Sequence, residues 1–176
     1  MKLSSKRILL RPVRESDAKD IHKNINDFDI YRYTENIPYP YKLKDALDFI
    51  KKCKKELKEK KTYHFGIIFE GKLVGGIGLH KADLKNKNAE VGYWLGKKYW
   101  NKGIVTDSLK LLIDFAFKKL KLHKLKARVF EPNIASKRVL EKNGFKVEGF
   151  FKDEIFKHKK FYNVHHLALL RKEYKG

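Results

Sequence analysis

The segment that decides the fold leads from a predicted strand into a long helix and reads Trp94-Leu95-Gly96-Lys97-Lys98-Tyr99-Trp100-Asn101-Lys102-Gly103-Ile104-Val105-Thr106. The first N–H groups of a helix have no partner within the helix and carry a partial positive charge, which suits an anion. A glycine in the turn also lets the backbone approach a ligand closely. We therefore expect a pyrophosphate to bind at Lys102, Gly103, Ile104, Val105 and Thr106.

Gly103 has a second interpretation, because glycine is also common at strand-to-helix turns for steric reasons alone. The segment is not a Walker loop, since no Gly-Lys-Ser or Gly-Lys-Thr is present. It also lacks the three spaced glycines of a dinucleotide fingerprint. The residues by themselves leave the phosphate site and the plain turn equally open.

Hydrophobic periodicity around this segment predicts alternating strands and helices. Strands are expected at 7–12, 63–69, 73–80, 89–95, 124–129, 148–157 and 161–170, and helices at 15–26, 43–60, 104–120 and 133–144. Ser16 is the expected N-cap of the first helix, and residues 31–41 are expected to form an ordered aromatic loop. The chain has no repeat, linker or change of composition, which predicts a single α/β domain over residues 1–176.

The charge of the chain is strongly positive, at +21 from 42 Lys and Arg against 21 Asp and Glu. Clustered cations often bind nucleic acid by releasing phosphate counterions. The lysines here lie on the polar faces of every predicted helix, and no nucleic-acid-binding motif appears. The pattern therefore favours a solvated basic surface over a nucleic-acid site, although such a surface attracts acidic ligands such as CoA.

The rest of the composition predicts a cytoplasmic protein. No apolar run approaches the roughly 20 residues of a membrane span, and residues 1–7 have no apolar signal segment behind them. Cys53 is the only cysteine, so an internal disulfide and a thiolate metal cluster are both excluded.

Four segments together resemble the GNAT acetyltransferases, and most closely their RimJ/RimL-type branch, which acetylates N-termini of ribosomal proteins. They are residues 7–18, residues 90–106, residues 133–136 with 143–145, and residues 169–174. The resemblance implies an α/β fold with a mixed, mostly antiparallel central sheet flanked by helices. It also implies splayed strands that form the cleft for acetyl-CoA.

Three positions depart from the family pattern. Asn101 stands where the branch usually has glycine, and Val105 where a small residue is usual, so the turn is expected to sit slightly differently on the pyrophosphate. Leu140 occupies the position where many relatives place a tyrosine that protonates the leaving thiolate. A tyrosine acid at that position is therefore excluded.

The resemblance also implies roles for particular residues. Backbone amides at Trp94 and Leu95 would hold the pantetheine arm and the acetyl oxygen. Asn133 would reach the same arm, although an ordinary helix N-cap explains it equally well. Arg138, with Lys137 beside it, is a candidate for the 3′-phosphate of CoA, although most cations of this chain are plain surface groups.

Two residues are candidates for the chemistry. Glu90 aligns with a catalytic glutamate of several relatives and would accept the proton of the amine if burial raised its pKa. The alternative is a strand-edge carboxylate paired with a lysine. Ser136 matches a serine that the branch places near the sulfur, where its hydroxyl would protonate or solvate the thiolate. The alternative is an ordinary helix-surface serine.

Four tyrosines, Tyr31, Tyr33, Tyr39 and Tyr41, lie where the family folds a loop over the acceptor. An acceptor wall and ordinary packing explain them equally well. His165 and His166 are neighbours in a predicted strand and so point to opposite faces, which argues against a shared metal site. We expect no metal.

The function expected from the resemblance is acetyl transfer from acetyl-CoA to the N-terminal amine of a protein. A small amine, such as a polyamine or amino sugar, is the alternative acceptor, because one fold serves many substrates. A non-catalytic protein that binds CoA or RNA is the alternative of another class. The expected oligomeric state is a monomer or a homodimer.

Overall fold

One sheet of eight strands runs through the whole molecule, and the computed structural model describes all residues from 1 to 176. The strands are β1 (Leu3–Ser4), β2 (Ile8–Arg11), β3 (Tyr63–Phe69), β4 (Lys72–Asp83), β5 (Asn88–Leu95), β6 (Lys124–Phe130), β7 (Lys146–Lys157) and β8 (Lys160–Leu170). Their order across the sheet is β1-β2-β3-β4-β5-β6-β8-β7. All neighbours are antiparallel except β5 and β6, which run parallel.

Five α-helices accompany the sheet: α1 (Ala18–Ile25), α2 (Phe28–Tyr31), α3 (Leu43–Lys58), α4 (Ile104–Asp114) and α5 (Ile134–Lys142). A parallel pair of strands needs a crossover connection, and α4 is the helix of the crossover between β5 and β6. The end of α4 continues as a wider π-helical turn over Phe115–Lys119.

The two faces of the sheet carry separate apolar cores. The larger core contains α4 and includes Leu109, Leu112 and Ile113, the residues whose spacing predicted this helix. The smaller core contains α1 and α3, with Ile21 and Ile50 among its members. The helices thus cover the sheet on both sides.

Several sequence expectations differ from the structure in their details. The two-residue strand β1 was missed because a stretch this short shows no alternation. The expected loop at 31–41 is preceded by the short helix α2, and α3 ends at Lys58 instead of residue 60. The N-cap expected at Ser16 is wrong, because Ser16 lies inside a short 3-10 turn over Glu15–Asp17 and Asp17 is the residue that precedes α1. The side chain of Asp17 makes no capping bond to α1 and instead accepts a hydrogen bond of 2.7 Å from the backbone N–H of Arg14.

Asp17 also joins β2 to the start of α1 through a buried ion pair. Both terminal nitrogens of Arg11 donate to its two carboxylate oxygens at 2.8 Å, and Asp17 is only 5% exposed. Burial raises the pKa of Asp17, but the hydrogen bonds from Arg11 and from the Arg14 amide outweigh it and lower the pKa below the ordinary value. The pair therefore stabilises the fold at neutral pH.

We expect Asp17→Asn to lower the free energy of unfolding by about 3 kcal/mol, because it leaves a largely buried guanidinium without its counterion. A carboxylate with a lowered folded pKa stabilises the protein above its unfolded pKa and ceases to do so as the pH falls. The difference between wild type and variant should therefore shrink in acid. Denaturant unfolding at several pH values measures both effects.

The matched control is Glu15→Gln, which removes the solvent-exposed pair between Glu15 and Lys54. Exposed pairs contribute little, so this variant should unfold almost as the wild type does. Equal losses in the two variants would contradict a special role for the buried pair.

Candidate active site

The cleft begins where β5 and β6 separate. The two strands pair only at Asn88 with Lys124, Ala89 with Leu125, and Glu90 with Lys126. Beyond Glu90, β5 continues to Leu95 beside β4 alone, and β6 continues to Phe130 beside β8 alone. Each strand therefore turns an unpaired backbone edge toward the opening, and an extended pantetheine arm can pair with such an edge as an added strand does.

The turn after β5 leads directly to the start of α4. Gly103 is the N-cap residue, with φ 73° and ψ 1° in the left-handed region, and no side chain caps the helix. A Cβ at Gly103 would meet no atom within 4 Å, so the glycine is required by its backbone angle and not by crowding. The first amides of α4 are thus free to bind an anion.

The neighbours of Gly103 serve the turn in different ways. Ile104 is buried in the larger core and Val105 packs against it, so both can reach a phosphate only through the backbone. Asn101 has φ 60°, and asparagine is among the few residues that tolerate the left-handed region. Asn101 therefore accommodates a positive φ at a position where the family usually has glycine.

Trp94 and Leu95 lie at the far end of β5, as expected. The side chain of Leu95 is buried in the larger core, and its carbonyl oxygen accepts a hydrogen bond of 2.8 Å from Nε1 of Trp100. Trp94 lies on the other face of the sheet, over Gly76. The indole of Trp100 thus fastens the turn to the strand from which it departs.

Asn133 caps α5, and its side-chain oxygen accepts from the backbone N–H of Ser136 at 3.2 Å. The sequence expectation of a cap is confirmed at this residue. The hydroxyl of Ser136 lies 2.8 Å from the phenol oxygen of Tyr93 on β5, and that phenol oxygen also lies 3.1 Å from the carbonyl oxygen of Ser136. Tyr93 therefore holds the start of α5 against the open part of β5.

Glu90 is the last residue of β5 that pairs with β6, and two cations hold its carboxylate. Nε of Arg128 lies 3.2 Å from one oxygen and Nζ of Lys81 lies 3.3 Å from the other. Burial raises the pKa of Glu90, but Arg128 and Lys81 lower it by more, and the net pKa is below the ordinary value. The raised pKa that the sequence argument required of a base is therefore absent, and Glu90 is an ionised carboxylate at neutral pH.

Arg128 joins this carboxylate to the loop that follows α2. Its terminal nitrogen Nη2 lies 2.8 Å from the carboxylate of Glu35, and its Nε lies 3.2 Å from the carboxylate of Glu90. Nζ of Lys157 on β7 donates to the carbonyl oxygens of Tyr31 and Thr34 in the same loop. The loop is therefore fixed both to the cleft and to the β7–β8 hairpin.

The four tyrosines lie in three different environments. Tyr41 is 5% exposed and belongs to the smaller core, so packing accounts for it. Tyr31 and Tyr39 stack with ring centres 5.3 Å apart and line an open cleft of about 840 Å³ between the loop and the hairpin. Tyr33 stacks under Arg32, whose guanidinium carbon is 4.5 Å from the ring centre.

The other residues singled out in the sequence lie on α5 and β8. Arg138 is exposed on α5, whereas Lys137 lies 3.8 Å from Glu141. His166 lies 2.8 Å from Glu154, and His165 lies against Phe150. No group of three or more His, Cys, Asp or Glu side chains is placed to hold a metal ion, and no helix combines the length and apolarity needed to cross a membrane.

A family model described as an acetyltransferase (GNAT) domain matches residues 7–146. The chain belongs to the GNAT acetyltransferases. The resemblance seen in the sequence is thus confirmed, as are the mixed sheet and the acetyl-CoA-dependent acyltransferase activity that it implied.

Individual GNAT relatives differ in the acceptor that their names give. The spermidine N(1)-acetyltransferase of Escherichia coli (strain K12) is 26% identical over 173 residues, which cover 97% of this chain and 90% of that protein. The ribosomal-protein-serine acetyltransferase of the same organism is 35% identical over 94 residues, covering 52% of this chain and 51% of that protein.

Among solved structures, RimL, a ribosomal L7/L12 alpha-N-protein acetyltransferase in complex with coenzyme A, has the same fold. Its TM-score is 0.90 at 20% identity, with 97% of this chain and 98% of the RimL chain covered. The acetyl donor of this GNAT protein is acetyl-CoA. The opening between β5 and β6 and the uncapped N-terminus of α4 are the structural features that suit it.

Sequence reasoning missed Tyr93, Arg128 and Glu35 as members of the site. Tyr93 was within reach of that reasoning, because alternation along β5 places it with Val91 and Leu95 on the face toward α4 and α5. Arg128 and Glu35 are 93 residues apart in the sequence, and no local pattern connects them.

We expect acetyl-CoA at 100 times its dissociation constant to stabilise the folded protein by about 2.7 kcal/mol. Gly103→Val should abolish this effect, because a branched side chain stands between the α4 amides and the pyrophosphate. Calorimetry with and without acetyl-CoA measures it.

Gly71→Val is the matched control. Gly71 also has a positive φ, 75°, and open space at its Cβ, but it lies in the β3–β4 turn. Both variants carry the same left-handed strain of roughly 1–2 kcal/mol, yet only the Gly103 variant should lose the response to acetyl-CoA. If acetyl-CoA stabilised the two variants equally, Gly103 would not be part of the acetyl-CoA site.

Proposed function

We propose that this GNAT protein transfers the acetyl group of acetyl-CoA to the N-terminal amine of a protein. The observation that carries the proposal is the ionised Glu90, held by Arg128 and Lys81 at the point where β5 and β6 part. A carboxylate with a lowered pKa is a weak base. It suits an amine that needs little help to lose its proton.

The pKa of the amine distinguishes the acceptors. An N-terminal amine has a pKa near 8, so a useful fraction is neutral at pH 7, whereas an alkylamine resembling lysine, near 10.4, is almost wholly protonated. Glu90 then has only to accept the proton that the nitrogen releases once it has attacked the thioester, directly or through one water. This demand is modest for an N-terminus and larger for a polyamine.

The other residues take roles that follow from their positions. Backbone groups of Trp94 and Leu95 orient the thioester and polarise its carbonyl. Residues Lys102 to Thr106 bind the pyrophosphate, Asn133 adds its free amide to the pantetheine arm, and Arg138 pairs with the 3′-phosphate. Ser136 serves the leaving sulfur, and Tyr31, Tyr33 and Tyr39 form the acceptor wall.

A small amine is the second candidate acceptor, and the spermidine acetyltransferase among the relatives favours it. Glu35, Glu90 and Glu154 supply carboxylates near the acceptor side. The net charge of +21 argues against a polyamine acceptor, because a basic surface repels a polycation and attracts an acidic polypeptide.

The proposal is tested by measuring the thiol released from acetyl-CoA with three acceptors. They are an acidic peptide with a free N-terminus, the same peptide with its N-terminus blocked and one internal lysine, and spermidine. We expect the highest kcat/KM with the free N-terminus, and a decline with added salt. Faster turnover of spermidine would favour the second acceptor, and no thiol release with any amine would favour a non-catalytic binding protein.

We expect Glu90→Gln to reduce turnover at neutral pH about tenfold to several hundredfold, below most of the roughly 100- to 10,000-fold that general bases contribute, because the lowered pKa makes Glu90 a weak base. The deficit should shrink as the pH rises, because hydroxide then accepts the proton that the attacking nitrogen releases. Affinity for acetyl-CoA should stay at the wild-type value.

Glu148→Gln is the control for this measurement, since Glu148 pairs with Lys124 on the surface and lies away from the cleft. A Glu90→Gln enzyme with the pH profile of the control would exclude Glu90 from proton transfer. Positioning of an already neutral amine would then be the main source of rate.

A further inference from the structure

Tyr93 lies in the part of β5 that pairs with β4 but no longer with β6. Its phenol forms hydrogen bonds with only one residue, Ser136. The phenol oxygen is 2.8 Å from Oγ of Ser136 and 3.1 Å from the carbonyl oxygen of the same residue. Ser136 is the third residue of α5 and stands at the opening between β5 and β6.

The two contacts allow two arrangements of the hydroxyl protons. If Tyr93 donates to the carbonyl oxygen, the Ser136 hydroxyl donates to the phenol and turns its proton away from the cleft. If Tyr93 donates to Oγ, the proton of Ser136 is released to point elsewhere. A donated hydrogen bond also polarises the hydroxyl and makes it a stronger donor in turn.

A negatively charged sulfur selects the second arrangement. When the C–S bond of the tetrahedral intermediate breaks, the electron pair leaves on sulfur, and the thiolate accepts a hydrogen bond from any donor within reach. The family's usual tyrosine is absent, since Leu140 is apolar and 1% exposed. The hydroxyl of Ser136, backed by Tyr93, is the donor that α5 offers.

Proton delivery by the phenol is excluded by its acidity. Burial raises the pKa of Tyr93 to about 12 against a smaller lowering effect of Ser136, whereas an ordinary thiol has a pKa of about 8.5. Full transfer of the phenol proton to the thiolate is therefore uphill. The thiolate departs unprotonated and takes its proton later from solvent, so the phenol acts by orienting and polarising the Ser136 hydroxyl and not by giving up its own proton.

We propose that Tyr93 is a positioning residue that turns the Ser136 hydroxyl toward the sulfur of CoA and strengthens its hydrogen bond to the leaving thiolate. The proposal rests on the proposed acetyl transfer for its kinetic consequence. Its effect on bound CoA requires no acceptor.

The first test is the pKa of the thiol of CoA bound to the enzyme, followed by the ultraviolet absorbance of the thiolate. A donor aimed at the sulfur lowers this pKa below that of free CoA. Tyr93→Phe and Ser136→Ala should each raise it by about one unit. Equal values in wild type and Tyr93→Phe would overturn the proposal.

The second test is a double-mutant cycle on turnover. Tyr93→Phe should lower kcat about tenfold to a hundredfold with KM for acetyl-CoA unchanged, since the interaction acts as charge develops on sulfur. The double variant with Ser136→Ala should be no slower than Ser136→Ala alone, because Tyr93 works through that hydroxyl. Losses that multiply would overturn the proposal.

Tyr63→Phe is the matched control, because Tyr63 is also buried in the larger core but its phenol makes no side-chain hydrogen bond. It should leave both kcat and the bound thiol pKa unchanged, and an effect equal to that of Tyr93→Phe would overturn the proposal. If no amine is acetylated while the thiol pKa still responds to Tyr93→Phe, the acetyl transfer fails and the contact with sulfur stands. Absence of CoA binding would overturn both.

Discussion

The parting of β5 and β6 after Glu90 is the constraint on which the rest of the structure depends. Three residue pairs join the strands at one end, and the remaining backbone of both strands is left with one unpaired edge each. Buried unpaired N–H and C=O groups are costly, so the opening is stable only where water or a ligand's amides can enter it. The turn that leads into α4 follows directly from the end of β5, and the start of α5 contacts Tyr93 in the open part of the same strand.

The electrostatics of the cleft differ from those of the surface around it. The surface is dominated by lysine, whereas the cleft contains Glu35, Glu90 and Glu154, with Arg128 between the first two. Arg128 is more than a surface cation because it contacts both the strand that carries Glu90 and the loop that carries Tyr31 and Tyr39. The carboxylate at the parting point is consequently coupled to the conformation of the loop after α2.

Local features of the sequence predicted most helices and strands. The features that were not predicted depend on contacts between residues far apart in the sequence. The spacing of Leu109, Leu112 and Ile113 was sufficient for α4, and Asn133 for the start of α5. Ser16 failed as a cap because a short 3-10 turn over Glu15–Asp17 precedes α1, and this turn is held by the contacts of Asp17 with the Arg14 amide and the Arg11 guanidinium. The direction of the Glu90 pKa was unpredictable, since it depends on Arg128, 38 residues away, and the parting of the strands was expected from family resemblance alone.

The two cations at Glu90 have a consequence for what can approach it. Arg128 and Lys81 already contact both oxygens of the carboxylate, so an amine can reach Glu90 only by displacing one of these cations or through a bridging water. Displacement of Arg128 would also break its contact with Glu35 in the loop after α2. In the proposed reaction a bridging water is therefore the route that leaves this loop in place.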